Sequence, residues 1–229
     1  TMPPENLAMT VIYTNGKVTY PGDPTTHIMF PTLYDRALDT TTVAVATSSD
    51  DIAWDWVPGG PVLKPGVDGA FDSGCVFACK GLVDFPGAQV GMAYTGYNLP
   101  HKYPREQLQS GSALALWPRG RIAGLVADGD GEFSTPPLLL HGRELRLNLQ
   151  TAGDGEVRVT ALERAPGWTA RPGHGALDSL GASQPMQGDH LAVPVCWNGE
   201  STLRVSTHGP VVLRFQLRRA TVFGFELVE

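Results

Sequence analysis

Asp72, set between Phe71 and Ser73-Gly74, is the carboxylate most suited in this sequence to acid–base or nucleophilic work. Its structural alternative is a turn cap, because Asp-Ser-Gly caps turns through the aspartate side chain. Tyr94, Tyr97, Asn98 and His101 follow closely: two phenols, an amide and an imidazole in eight residues. They can contact hydroxyl groups of a ligand, or simply serve a loop that satisfies its own backbone. His101 offers an imidazole suited to proton transfer, but no carboxylate stands beside it in the local sequence. Asp50, Asp51 and Asp55 surround Trp54 and Trp56. Tryptophan with carboxylate can form a sugar platform; the favoured alternative is a structural turn in which Asp holds loop amides and Trp packs. Asp128, Asp130 and Glu132 alternate with glycines, which reads as a solvated hairpin turn better than as a Ca²⁺ loop.

Other chemistries lack their motifs. The six histidines (27, 101, 141, 174, 190, 208) form no HxH or HExxH pair, and no Cys-x-x-Cys occurs, so no metal site is expected. No phosphate-binding glycine loop, dinucleotide fingerprint or GxSxG elbow appears, so no cofactor is expected. The three cysteines, Cys75, Cys79 and Cys196, are too few for a disulfide framework and read as buried thiols. Free-thiol usage favours a cytoplasmic setting without fixing the compartment.

These residues must be positioned by strands. Period-two runs bounded by Gly, Pro, Asp and Asn dominate, and helix signals are weak apart from a short tolerant stretch around 104–110. Strands are expected near Val11–Tyr13, His27–Pro31, Thr42–Thr47, Gly74–Ala78, Val90–Tyr94, Ser112–Leu116 and Ile122–Ala127. A unit recurs roughly sixty-five residues apart: HIMFPTLYDR with TTVAVATSSDDIAW, then AQVGMAYTGYN with SGSALALWPRGRIAGLVADGD. Large four-stranded propeller blades produce such a repeat. Two blades cannot close a ring, so the chain is expected to be the tail of something larger. After STPPLLL the texture changes to about seven short alternating strands, near Leu138–Leu140, Glu144–Leu149, Glu156–Leu162, His190–Pro194, Ser201–Ser206, Val211–Arg218 and Ala220–Val228, the pattern of a β-sandwich. The expected fold is therefore all-β: a partial propeller of two blades over residues 1–134, then a sandwich over 135–229. The segment 164–189 reads as one long loop.

Charge narrows the partners. The 229 residues carry a formal net charge of −6 with no basic face, which argues against nucleic acid. No apolar run is long enough to span a membrane as a helix.

The ordered segments resemble the five-bladed glycosidases of the invertase and arabinanase type (glycoside hydrolase families 32 and 43). VAVATSSDDIAWDW resembles that family's strand and Ser-x-Asp-Gly-x-x-Trp turn, with Asp51 standing where the family has Gly. GAFDSGCVF resembles its Phe-Asp-Ser-Gly entry to an inner strand, and MAYTGYNLPH the strand after it. The stretch from Ser134 to Glu163 resembles the start of the trailing sandwich, and RFQLRRATVFGFEL its closing strands.

The resemblance implies a C-terminal portion of a glycosidase-like protein, supplying funnel wall and sandwich. Glycoside hydrolysis needs two carboxyl groups at a defined separation, and Asp72 is the one catalytic candidate on the matching segments. Tyr94, Tyr97, Asn98 and His101 become candidate substrate contacts. The portion is expected to be inactive alone. The alternatives are a non-catalytic carbohydrate-binding module, or an assembly domain that self-associates through open blade edges. For the binding module the sandwich offers only Trp168 and Trp197, the latter beside a strand as core tryptophans are.

Overall fold

The computed structural model describes residues 10–102, 105–140, 143–164, 177–203 and 209–229. The chain is all-β, with three sheets, none closed into a barrel. It divides into two compact units, Thr1–Arg119 and Gly120–Glu229.

Unit 1 holds two sheets. The first runs β1 (Thr10–Thr19), β2 (His27–Asp35), β3 (Thr40–Val43) with β4 (Ala46–Ser48), then β5 (Asp55–Trp56), all antiparallel. β3 and β4 lie on the same edge of β2 in one register, Thr32 opposite Val43 and Met29 opposite Ala46, so they form one interrupted strand. At the interruption the Val43 and Val45 backbones turn to bond Leu63, Val62 and Val57 instead. The second sheet centres on β8 (Gln89–Tyr97). β6 (Cys75–Ala78) and β7 (Val83–Phe85) share one edge of it, and β9 (Ser110–Pro118) takes the other. The helix-tolerant stretch makes only a single 3₁₀ turn, Arg105–Gln107.

Threonine hydroxyls join the two sheets. Thr41 Oγ1 donates to the Val76 carbonyl at 2.6 Å and accepts from the Val76 amide at 2.9 Å. Thr40 Oγ1 donates to the Gly74 carbonyl at 2.6 Å. β-branched threonine suits a strand, and here its polar arm satisfies backbone groups that β6 does not give to β8. Phe30 stacks on Trp117 with centroids 6.1 Å apart.

Unit 2 is one sheet in the order β10 (Leu125–Ser134), β14 (Val211–Val228), β11 (Glu144–Arg164), with β12 (Leu177–Ala182) and β13 (Asp189–Pro194) sharing the far edge of β11. Leu145, Leu147, Leu149, Val157, Val159, Ala161, Leu213, Phe215 and Leu217 are buried in its core. Their alternation with Arg146, Arg158, Arg214 and Gln216 is the one-wet-face pattern read from the sequence. Trp197 is part of this core, as its place beside a strand predicts; Trp168 lies outside the described residues.

Several expectations change. The segment Ile122–Ala127, read as the outer strand of the second blade, starts β10, which pairs with β14 in unit 2. The division between units accordingly falls at Arg119/Gly120, ahead of the expected boundary at 134/135. Glu144–Leu149 and Glu156–Leu162 are one strand, β11, interrupted by a register shift between Thr151 and Glu156. Val211–Arg218 and Ala220–Val228 are likewise one strand, passing through Arg219 at φ 44°. In β14 the break swaps the inward parity, from Val211, Leu213, Phe215 and Leu217 to Ala220 and Val222; in β11 the stretch 150–156 interrupts the alternation, which resumes at Val157 in the same parity, so each long strand reads as two short ones. Part of the supposed long loop, Leu177–Ala182, is β12.

Candidate functional site

β8 separates the residues singled out above. Its pleat sends Tyr94 and Gly96 to one face and Tyr97 to the other. On the first face the Tyr94 hydroxyl donates to Asp72 Oδ2 at 2.8 Å, and Phe71 stacks on the Tyr94 ring at 6.2 Å. Gly96 is required there, since a Cβ would lie 2.2 Å from Asp72 Cβ. Asp72 is only 8% exposed, and its carbonyl accepts from the Gly66 amide at 3.2 Å. Burial first, then the Asp72 hydrogen bond, pushes the Tyr94 phenol up to about 12. Among the described residues no second acid is hydrogen-bonded to Asp72. The arrangement can hold a phenol in place.

On the opposite face Tyr97 and His101 join Tyr13, Phe77, Leu99, Pro100 and Leu108 around a cleft of about 260 Å³. The rings meet nearly edge to face: Phe77–Tyr97 at 5.7 Å and 86°, Tyr13–His101 at 4.8 Å and 78°, Tyr13–Phe77 at 5.9 Å and 62°. Tyr13 reaches the cleft through a bulge. Register shifts between Ile12 and Thr14, and Ile12 and Tyr13 are both exposed, at 47% and 51%, instead of alternating.

A second tyrosine–aspartate pair lies behind His101. Tyr34 donates its hydroxyl to Asp39 Oδ1 at 2.7 Å, Lys102 N–H donates to Asp39 Oδ2 at 3.0 Å, and His101 N–H donates to the Asp39 carbonyl at 2.8 Å. Asp39 takes a left-handed φ of 52°, which aspartate tolerates better than most residues. The Tyr34 hydrogen bond holds Asp39 below the usual carboxylate range, and the same bond leads in pushing Tyr34 up to about 12. Lys102 Nζ sits 5.4 Å over the Tyr34 ring. At the cleft's foot Gly74 lets the chain pass Leu99, whose backbone carbon would stand 2.1 Å from an added Cβ.

Asn98 does not face the ligand space with its amide. Asn98 Oδ1 accepts from Gln109 N–H at 2.8 Å and the Asn98 amide donates to the Gln109 carbonyl at 3.1 Å, so Asn98 clamps the β8–β9 loop. Of the four predicted contacts, then, Tyr97 and His101 come together, Tyr94 faces away and Asn98 holds backbone. Sequence reasoning missed Tyr13 and Phe77. Period two places Phe77 on the Cys75 side of β6, but nothing local announces the bulge at Tyr13.

The acidic turn is structural. Asp50 Oδ1 accepts from the Ile52 and Ala53 amides at 2.9 and 2.8 Å, and these backbone bonds hold Asp50 below the usual range. Asp51 adopts φ 64°, a left-handed conformation that favours Gly, and pairs with Lys17. Asp128, Asp130 and Glu132 are exposed residues of β10, not a hairpin turn, and Glu132 pairs with Arg214 at 2.8 Å. A larger but open groove of about 580 Å³ lies over them, on the wet face of unit 2. Both of its arginines pair with one of its acids, Arg158–Glu156 at 3.2 Å and Arg218–Glu156 at 3.6 Å. Of the cysteines only Cys75 is buried; Cys79 and Cys196 are half-buried, contrary to the expectation for all three. Burial pushes the Cys75 thiol up, which favours the inert form. Among the described residues no cluster of three or more His, Cys, Asp and Glu converges on a metal-sized space.

Comparison of the chain with protein-family models and with curated protein sequences found no match.

Proposed function

We propose that this chain is the C-terminal portion of a glycosidase-like carbohydrate-active protein, contributing propeller-type wall and a structural sandwich, and that it binds glycoside without cleaving it. The carrying observation is the cleft that unites Tyr97 and His101 with Tyr13 and Phe77, while Asp72 is enclosed on the opposite face. Aromatic walls suit the flat apolar face of a ring in a glycoside, sugar or aglycone. The β1 to β5 meander has the sequential antiparallel order of a four-stranded blade. The two long strands of unit 2, each bent at a register shift over one core, are compatible with a sandwich.

The test has two arms. Aryl glycosides incubated with the purified chain should show no turnover above buffer. Glycosides titrated into it should shift the ring resonances of Tyr13, Tyr97 and His101. Turnover by the wild type that Asp72→Asn abolishes, or a glycoside panel that leaves all three rings unmoved, would refute the proposal.

β9 favours a second reading, assembly through an edge. Its nine residues keep an unbroken register with β8, carry no charge, and have no second partner strand among the described residues. Leu114 and Leu116 are exposed on it. Such an edge invites another strand. Light scattering of the wild type against Leu114→Lys decides this: a concentration-dependent dimer lost in the variant supports assembly, and a strict monomer in both rejects it.

A further inference from the structure

The aromatic cleft has a hydrogen-bonding deficit that narrows what can enter it. Its side chains are Tyr13, Phe77, Tyr97, Leu99, Pro100, His101 and Leu108. Two phenols and one imidazole are the only polar side-chain groups among them. Among the described residues no carboxylate, carboxamide or guanidinium lines the space. Asp39, behind His101, already accepts from Tyr34 and the Lys102 amide, and Asn98 Oδ1 already accepts from the Gln109 amide.

A buried pyranose brings several hydroxyls, each needing a partner; an unmet one costs about 1–3 kcal/mol. A flat hydrocarbon ring brings none and gains from every square ångström it covers. The rings lining the cleft stand 56° to 86° to one another, so a planar guest can meet one wall face-on and the next edge-on. A volume of about 260 Å³ suits one ring rather than an oligosaccharide.

We infer that the cleft receives an uncharged, flat apolar ring, and that in a glycoside it holds the aglycone, with the sugar left outside. The aglycone assignment rests on the glycoside reading above; capture of a ring does not. The class of ligand is an aryl or comparably hydrophobic glycoside.

Three probes separate the possibilities when titrated into the whole chain: phenol, phenyl β-D-glucopyranoside and methyl β-D-glucopyranoside. Binding is read from chemical shifts and from nuclear Overhauser contacts between phenyl protons and the Tyr13 and Tyr97 rings. Phenol and the phenyl glucoside should saturate with Kd values within a few-fold of each other. The methyl glucoside should bind about tenfold or more weakly, as removal of one buried ring requires. Tyr97→Ala should weaken both phenyl probes several-fold, and Tyr94→Phe on the other face should leave them unchanged. The Overhauser contacts are measured on the unaltered chain and do not depend on whether a variant folds.

Methyl and phenyl glucosides binding equally, with phenol silent, would overturn the aglycone inference and leave the glycoside reading standing. Phenol binding with neither glucoside saturating would overturn both. Saturation without Overhauser contact to Tyr13 or Tyr97, or no binding by any probe, would overturn the inference.

Discussion

Each sheet of unit 1 carries a tyrosine on its central strand that donates to an aspartate: Tyr34 to Asp39 from β2, and Tyr94 to Asp72 from β8. The distances are nearly equal, 2.7 and 2.8 Å, and both phenols are pushed up to about 12. The leading causes differ. For Tyr94 it is burial; for Tyr34 it is the hydrogen bond itself. Asp39 has further partners in the Lys102 and His101 amides, so its pair ties down the loop that carries the cleft's imidazole. Asp72 sits in a closed pocket under Gly96, so its pair is a packing device. One motif therefore fixes a cleft-lining loop in the first sheet and a closed interior in the second.

The comparison breaks most sharply at Gly96. Gly96→Ala drives a Cβ into Asp72 and should cost at or above the top of the about 1–3 kcal/mol typical of overpacking, read as a lower urea midpoint. Tyr94→Phe should come next, about 1–3 kcal/mol, because it strands a buried carboxylate oxygen. Tyr34→Phe should cost less, since Asp39 keeps its amide partners. Equal losses in the two Phe variants would show that the pairs are equivalent after all.

Alkaline titration sharpens the same point. Both tyrosines move from 10.0 to about 12 on folding, so their contribution is complete below pH 10 and disappears as pH rises to 12. Urea midpoints should fall across that window in the wild type and fall less in the Tyr34→Phe/Tyr94→Phe double variant. Asp39 works in the opposite direction: its pKa is lowered, so its contribution is present above 3.8 and is lost as pH drops below it. In Asp39→Asn the His101 and Tyr13 ring resonances should shift while the Tyr94 ring stays put. The smallest effect belongs to Asp51→Gly. It relieves a left-handed residue and a buried unpaired Oδ1, at the loss of an exposed ion pair with Lys17, for a net gain below about 1 kcal/mol.

Strand positions were legible because alternation is local: β8 and β9 fall where Val90–Tyr94 and Ser112–Leu116 point. Which strand a segment pairs with was not. Leu125–Ser134 looks like a continuation of the second repeat, yet its partner, β14, comes more than seventy residues later, and no local pattern encodes that choice. The site shows the same limit. Tyr97 and His101 were identified by residue type, and the pleat alone could have assigned Tyr94 to the other face. Tyr13 needed the bulge, which depends on how β1 meets β2.

The order of strands in unit 2 bears on how the chain is made. β14 lies between β10 and β11 and is hydrogen-bonded to both, although it is the last of the three to be synthesised. Among the described strands, unit 1 has its pairing partners once Arg119 has left the ribosome, whereas β10 has none, and β11 only β12 and β13 on its far edge, until Val211–Val228 follows. Nascent unit 2 thus spends about ninety residues of elongation, some 5–20 seconds, with a half-built sheet, and this is the interval in which a holding chaperone would matter most.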